Sequence, residues 1–239
     1  MTSYHPSKTT WLNPNIEYLF NEEIIEYDIH DAGFSIIQQY HLLPPEKIRE
    51  LEGIQRGVKR HIAVGMLQRD DKEFSKRLAD KFAEVRQLFL MTNQLEDDRI
   101  LSVKKDAIYT LGKCKRTTFG KVRFAEKNTY TSYIRFPDVN NLELYYGPNG
   151  IDVKGMGELA VNRHRLYLLE FIRMLFRLIE DQDTSVRRKF IRFLNQYKAG
   201  ELEEEYYIEF NNLSREPNKL FNYQNILLPL LKIILREVN

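Results

Sequence analysis

The sequence predicts an α+β fold, on three observations. Short apolar runs separated by Pro, Asn and Gly turns crowd residues 100–153. A helical repeat of apolar residues runs through 70–93, and helical patterning returns from Leu159 to the end of the chain. Hydrophobic residues make up 43% of the 239 and aromatics 12%, enough to fill a core and to exclude a largely disordered chain.

Element by element, Met1 to Asn15 reads as an irregular arm anchored by Trp11, and Ile16 to Phe20 as a helical turn or short strand. Ile24 to Ile29 is an apolar strand, and a helix starts near Phe34. Pro45 opens a second helix that runs through Gly53. In the helix over 70–93, Phe74, Leu78, Phe82, Val85, Leu88 and Phe89 are expected on the buried face. Strands follow at Ile100 to Val103, Ala107 to Leu111, Lys121 to Ala125, Thr129 to Phe136, Leu142 to Tyr146 and Ile151 to Val153. Helices are expected over Leu159 to Ile179, Thr184 to Lys198 and Leu220 to Val238, with Thr184 as an N-cap and Gly200 as a stop. Glu201 to Glu205 reads as a solvated acidic cluster.

Charge and cysteine content narrow the function classes. The 36 basic and 34 acidic side chains leave a net charge of +2, so global charge does not announce nucleic acid. One cysteine, Cys114, rules out an internal disulfide and a cysteine-rich zinc site. The five histidines lack metal-ligand spacing, and no nucleophile elbow, phosphate loop or dinucleotide fingerprint is present. The polar first residues lack the apolar core of a signal peptide, and no apolar run approaches the roughly 18 residues of a membrane span. No membrane partner and a cytoplasmic location are therefore expected.

Two acidic positions carry chemistry. Asp28 ends the strand of Ile24, Ile25 and Tyr27, just before the turn Asp31-Ala32-Gly33. Asp106 lies between two strand-like runs. Carboxylates on neighbouring strands are the donors that hold two hard cations roughly 3.5–4 Å apart for phosphoryl transfer. Basic residues interleave with aromatics at Lys113, Lys115, Arg116, Lys121, Arg123 and Lys127, a pattern suited to phosphate contacts and base stacking. Arg56, Lys59, Arg60 and His61 form another basic cluster, and Arg163, His164, Arg165, Arg187, Arg188 and Lys189 add charge in the helical tail.

The segment Asp28-Ile29-His30-Asp31-Ala32-Gly33-Phe34-Ser35-Ile36-Ile37 resembles the first palm motif of family B DNA polymerases, with Asp28, Ser35, Ile36 and Ile37 matching directly. Asp106-Ala107-Ile108-Tyr109 resembles the end of the second palm motif, Asp106 falling on its second aspartate. In order after these, Lys127-Asn128-Thr129-Tyr130 is similar to the Lys-x-Tyr element, and Ile151-Asp152-Val153-Lys154-Gly155 to the segment that follows it. The resemblance covers roughly residues 24–160.

It implies a polymerase-like palm sheet with flanking helices over 1–158, with a reduced fingers segment at about 44–95, then a helical thumb-like region over 159–239. It implies primer extension with nucleoside triphosphates on DNA primer-template, other replication subunits being further partners. Asp28 and Asp106 are then the catalytic and metal-holding residues, with Mg²⁺ or Mn²⁺ as cofactor. Ile29, Gly33, Lys59 and Arg60 are the expected nucleotide-binding residues, and Lys105, Lys127, Tyr130 and Lys154 those for nucleic acid.

Three departures qualify the implication. Lys104 stands for the first aspartate of the second motif, Gly33 for the steric-gate tyrosine and Phe34 for the proline. No exonuclease domain is expected before the palm motifs. The short chain fits a pared-down relative of phage or mobile-element origin, in a bacterial or virus-infected cell. The alternative is a catalytically inactive palm-fold protein that binds nucleic acid or assists replication.

Overall fold

A computed structural model describes residues 4–5, 8–136, 142–155, 168–180, 184–202, 209–210 and 217–218. The fold is α+β, as expected, and the chain divides into two compact units. One comprises residues 1–16 and 23–129, the other 17–22 and 130–239, so the division falls at Thr129/Tyr130 where the sequence reading set it after 158.

The first unit is built on a six-stranded sheet. In chain order its strands are β1 (Trp11–Leu12), β3 (Ile24–Ile29), β4 (Ile100–Val103), β5 (Ala107–Leu111), β6 (Thr118–Phe119) and β7 (Val122–Tyr130), while β2 (Tyr18–Leu19) belongs to the other unit. Across the sheet the order is β1-β4-β5-β3-β7-β6. Its helices are α1 (Ala32–Tyr40), α2 (Pro45–Gly53), α3 (Val58–Asp70) and α4 (Lys72–Thr92).

Alternation along β3 sorts its side chains. Ile25, Tyr27 and Ile29 enter a core with Ile36, Phe82, Phe89, Ile108, Val122 and Phe124, so Glu26 and Asp28 fall on the opposite face. Phe89 lies at the centre of this core, its ring 4.3 Å from Phe124 and 5.3 Å from Tyr27.

Helix α4 starts where Asp71 accepts a hydrogen bond from the Phe74 amide at 2.9 Å, an N-cap. Phe74, Leu78, Phe82, Val85 and Phe89 are buried as expected, but Leu88 is 42% exposed and Arg86 is buried instead. The inward stripe steps by four, four, three and four residues from Phe74, and Leu88 falls to its side. Arg86 is admitted because its donors are satisfied: Nε donates to the Tyr4 hydroxyl at 2.9 Å and Nη1 to the Lys105 carbonyl at 2.7 Å.

Two further differences concern strands and helices. Thr131 separates β7 from β8 (Ser132–Phe136), so the first of the two runs expected at 121–125 and 129–136 ends five residues later than the composition suggests. Helix α3 lies outside the expected elements, because its apolar residues form no single face: Val64 is buried while Val58, Ile62 and Met66, on another side, are in solvent.

Gly33 lets α1 and α3 approach closely. A Cβ at this position would stand 2.9 Å from Val64 Cγ1, a stiff β-branched neighbour. Overpacking costs about 1–3 kcal/mol, against a helix-propensity gain of up to about 1 kcal/mol. Gly33→Ala is therefore expected to lower stability by about 1 kcal/mol in urea unfolding, and an unchanged or raised midpoint would show that Val64 yields.

The second unit carries a four-stranded antiparallel sheet. Its order is β10-β9-β8-β2, with β9 at Leu142–Gly147 and β10 at Gly150–Lys154. Helices α5 (Leu168–Glu180) and α6 (Thr184–Ala199) follow, within and close to the expected spans, and Gly200 ends α6 at φ +74°. Tyr146 stacks on Phe176 with ring centroids 4.7 Å apart. Glu180 accepts hydrogen bonds from the Ser132 and Thr131 hydroxyls. The expected helix at Leu220 to Val238 and the basic residues Arg163, His164 and Arg165 lie outside the described residues.

Candidate functional site

Two strands and one tight hairpin create the site. β4 and β5 pair antiparallel, Val103 opposite Ile108, and the Lys104 amide donates to the Ala107 carbonyl at 2.7 Å. Lys105 and Asp106 are thereby left at the tip of a two-residue loop. On its other edge β5 pairs with β3, with Asp28 opposite Ala107. The Ile29 amide then donates to the Asp106 carbonyl at 2.8 Å, which ties the hairpin tip to the end of β3. Asp28 and Asp106, 78 positions apart in the chain, are thus neighbours at one end of the sheet.

A basic side chain faces them. Lys127, on β7, donates from Nζ to Asp28 Oδ2 at 2.7 Å and stands 3.7 Å from Glu26 Oε1. Its pKa is raised, first by the hydrogen bond to Asp28 and then by the charges of Asp28, Glu26 and Asp106. One ammonium therefore senses three carboxylates. The expected pair and Lys127 are brought together, although the resemblance implies a nucleic-acid contact for Lys127.

Glu26 is the member that the sequence reading missed. Its carboxylate accepts from the Tyr109 hydroxyl at 2.9 Å and from Asn128 Nδ2 at 2.6 Å. The signal was available: Glu26 lies two residues before Asp28 in a strand, hence on the same face. Arg86 was also missed. Its bond to the Lys105 carbonyl braces the hairpin tip from the core side, and no local pattern marks a buried arginine inside an amphipathic helix.

The remaining expected residues are placed as follows. Ile29 is buried, and its amide is committed to Asp106. Gly33 packs against Val64. Arg60 reaches Asp31 Oδ2 at 2.5 Å, the carbonyls of Glu52 and Ile54 at 3.0 and 2.7 Å, and the face of Phe34, so it clamps the loop before α3 to the start of α1. Lys59 is exposed. The Lys105 ammonium lies over the Phe82 ring. Tyr130 and Lys154 converge in the second unit, where Asp152 Oδ2 accepts from the Tyr130 hydroxyl and from Lys154 Nζ, both at 2.8 Å.

The donor set suits a hard cation. The Asp28 carboxylate already holds a positive charge, the Lys127 ammonium, and the Asp106 charge also acts on that ammonium. Among the described residues no three His, Cys, Asp or Glu side chains are spaced to enclose a metal by themselves, so any ion here would need oxygens from a ligand or water.

Among the described residues no helix is long and apolar enough to cross a membrane. No curated protein matches this chain. A family model does, over residues 1–239, and the chain belongs to the family described as Bacteriophage PBS1 gene 130 protein.

Proposed function

We propose that this phage protein is a palm-type nucleotidyltransferase that adds nucleotides to a primer 3′-hydroxyl. The supporting observation is the convergence of Asp28 and Asp106 at one sheet end, felt together by Lys127. The order β4-β5-β3, a hairpin beside a strand with an acid at each adjoining end, accords with the motif resemblance. Asp28 and Asp106 are the residues to hold Mg²⁺ or Mn²⁺, with Glu26 behind them. Bound there, the cations would acidify the attacking hydroxyl and neutralise charge on the phosphates. The chain's own part is to hold the two carboxylates in register, through the Ile29–Asp106 backbone bond and the Arg86 brace.

Lys127 sets a condition on this reading. Its ammonium competes with a cation for Asp28, so loading the site requires it to move aside. Lys127→Met is expected to tighten Mn²⁺ binding by about tenfold, the worth of one charge-assisted contact. Titration followed by the paramagnetic signal of free Mn²⁺ measures this, and unchanged affinity would remove Lys127 from the site. The reading itself is tested by primer extension on DNA and RNA templates with each metal.

The Asp28–Lys127 ion pair and Lys104 favour a second reading, a catalytically inactive palm-fold protein that binds nucleic acid or assists replication. Salt-dependent primer-template binding without extension would select it. Either role places the protein in the infected bacterial cell, beside other replication subunits.

A further inference from the structure

The phosphates need a cationic seat, and neither expected residue offers one. The Arg60 guanidinium is engaged by Asp31, by two backbone carbonyls and by Phe34. Lys59 follows α3 round to a different face, about 100° away.

A different pair of cations lies beside the carboxylates, at the junction where β3 runs into α1. The His30 amide donates to the Arg123 carbonyl at 2.9 Å, which sets Arg123 on β7 next to that junction. From the other side, the Arg60 clamp holds the carbonyls of Glu52 and Ile54 near Asp31, so the loop that follows, which carries Arg56, starts beside the same junction.

Both arginines are exposed, and neither has a carboxylate partner among the described residues. Asp31, the acid beside them, is taken by Arg60. Helix α1 also begins here with no side-chain cap, adding the positive end of its dipole. The result is uncompensated positive charge from a loop, a strand and a helix start, two residues beyond Asp28.

We propose that Arg56 and Arg123 grip the phosphates of a nucleoside triphosphate at the β3–α1 junction. The assignment rests on the nucleotidyl-transfer reading for its choice of ligand. Guanidinium forks match phosphate oxygens two at a time, which a single lysine does not. The anion then sits against Asp28, whose charge a cation must offset, so binding and metal loading favour one another.

The test is calorimetric binding of inorganic tripolyphosphate to the full chain, with chelator present so that no metal takes part. Arg56→Gln and Arg123→Gln are each expected to weaken binding by about tenfold. Arg69→Gln, an equal loss of charge on α3, is expected to leave it unchanged. Wild-type affinity in both junction variants overturns the proposal, as does an equal loss in Arg69→Gln. A single-stranded oligonucleotide is titrated alongside. Weakening of the oligonucleotide alone would assign the arginines to strand backbone and overturn the triphosphate role. Retained tripolyphosphate binding with no primer extension under any metal would sink the transferase reading alone.

Discussion

Asp28→Asn and Asp106→Asn are each expected to lower primer extension on the order of 10³-fold, with folding unchanged. On the proposed transferase reading, several kcal/mol of transition-state stabilisation would depend on cations held by these carboxylates, and every 1.36 kcal/mol is tenfold in rate. Asparagine keeps the size and one oxygen but removes the charge. The fold tolerates this because its ties at the site are made elsewhere. The Ile29 amide bonds the backbone carbonyl of Asp106, not its side chain. Asp28 is bonded to Lys127, whose side chain is 52% exposed, and ion pairs so placed contribute about 0.2–1 kcal/mol. Unchanged circular dichroism and a similar urea midpoint should accompany the loss. Wild-type extension by both variants would end the transferase reading.

Phe89→Ala is expected to cost about 3–5 kcal/mol, the largest stability effect in the first unit. Phe89 has no exposed surface and stands at the meeting point of α4, β3, β6 and β7, through Tyr27, Phe119 and Phe124. Removing the ring leaves a cavity that four elements would have to close together. The consequence reaches the site through Tyr27, which sits between Glu26 and Asp28 on β3. Its hydroxyl also accepts from the Cys114 amide at 2.8 Å, and burial pushes its pKa up to about 12. With Phe89 gone, the strand that carries both acids loses its backing. Urea unfolding followed by tryptophan fluorescence reads this unit, because Trp11 belongs to it. A loss under about 1 kcal/mol would show that Phe89 is not the keystone of the core.

Local patterning carried a large part of the fold. The runs Ile100–Val103 and Ala107–Leu111 are strands at the residues expected, because β-branched and aromatic residues flank a polar Lys104-Lys105-Asp106 break. Pro45 begins α2 and Gly53 ends it, through a fixed φ at one end and a weak helix former at the other. Helix α3 shows the converse: its apolar residues Val58, Ile62, Ala63, Val64, Met66 and Leu67 are spread round the helix, so no single apolar face marks it.

From its letters alone the chain determined its α+β class, the strand that carries Asp28, the two strands that flank Asp106, and the amphipathic helix over 72–92. These follow from alternation and helical repeat, which are properties of neighbours in sequence. Tertiary structure alone decided what faces those acids. Lys127 reaches Asp28 across 99 positions, Arg86 reaches Tyr4 across 82, and Arg60 turns 29 positions back to Asp31. Pairings over such distances are chosen by sheet order and core packing, and no local pattern of residues encodes them.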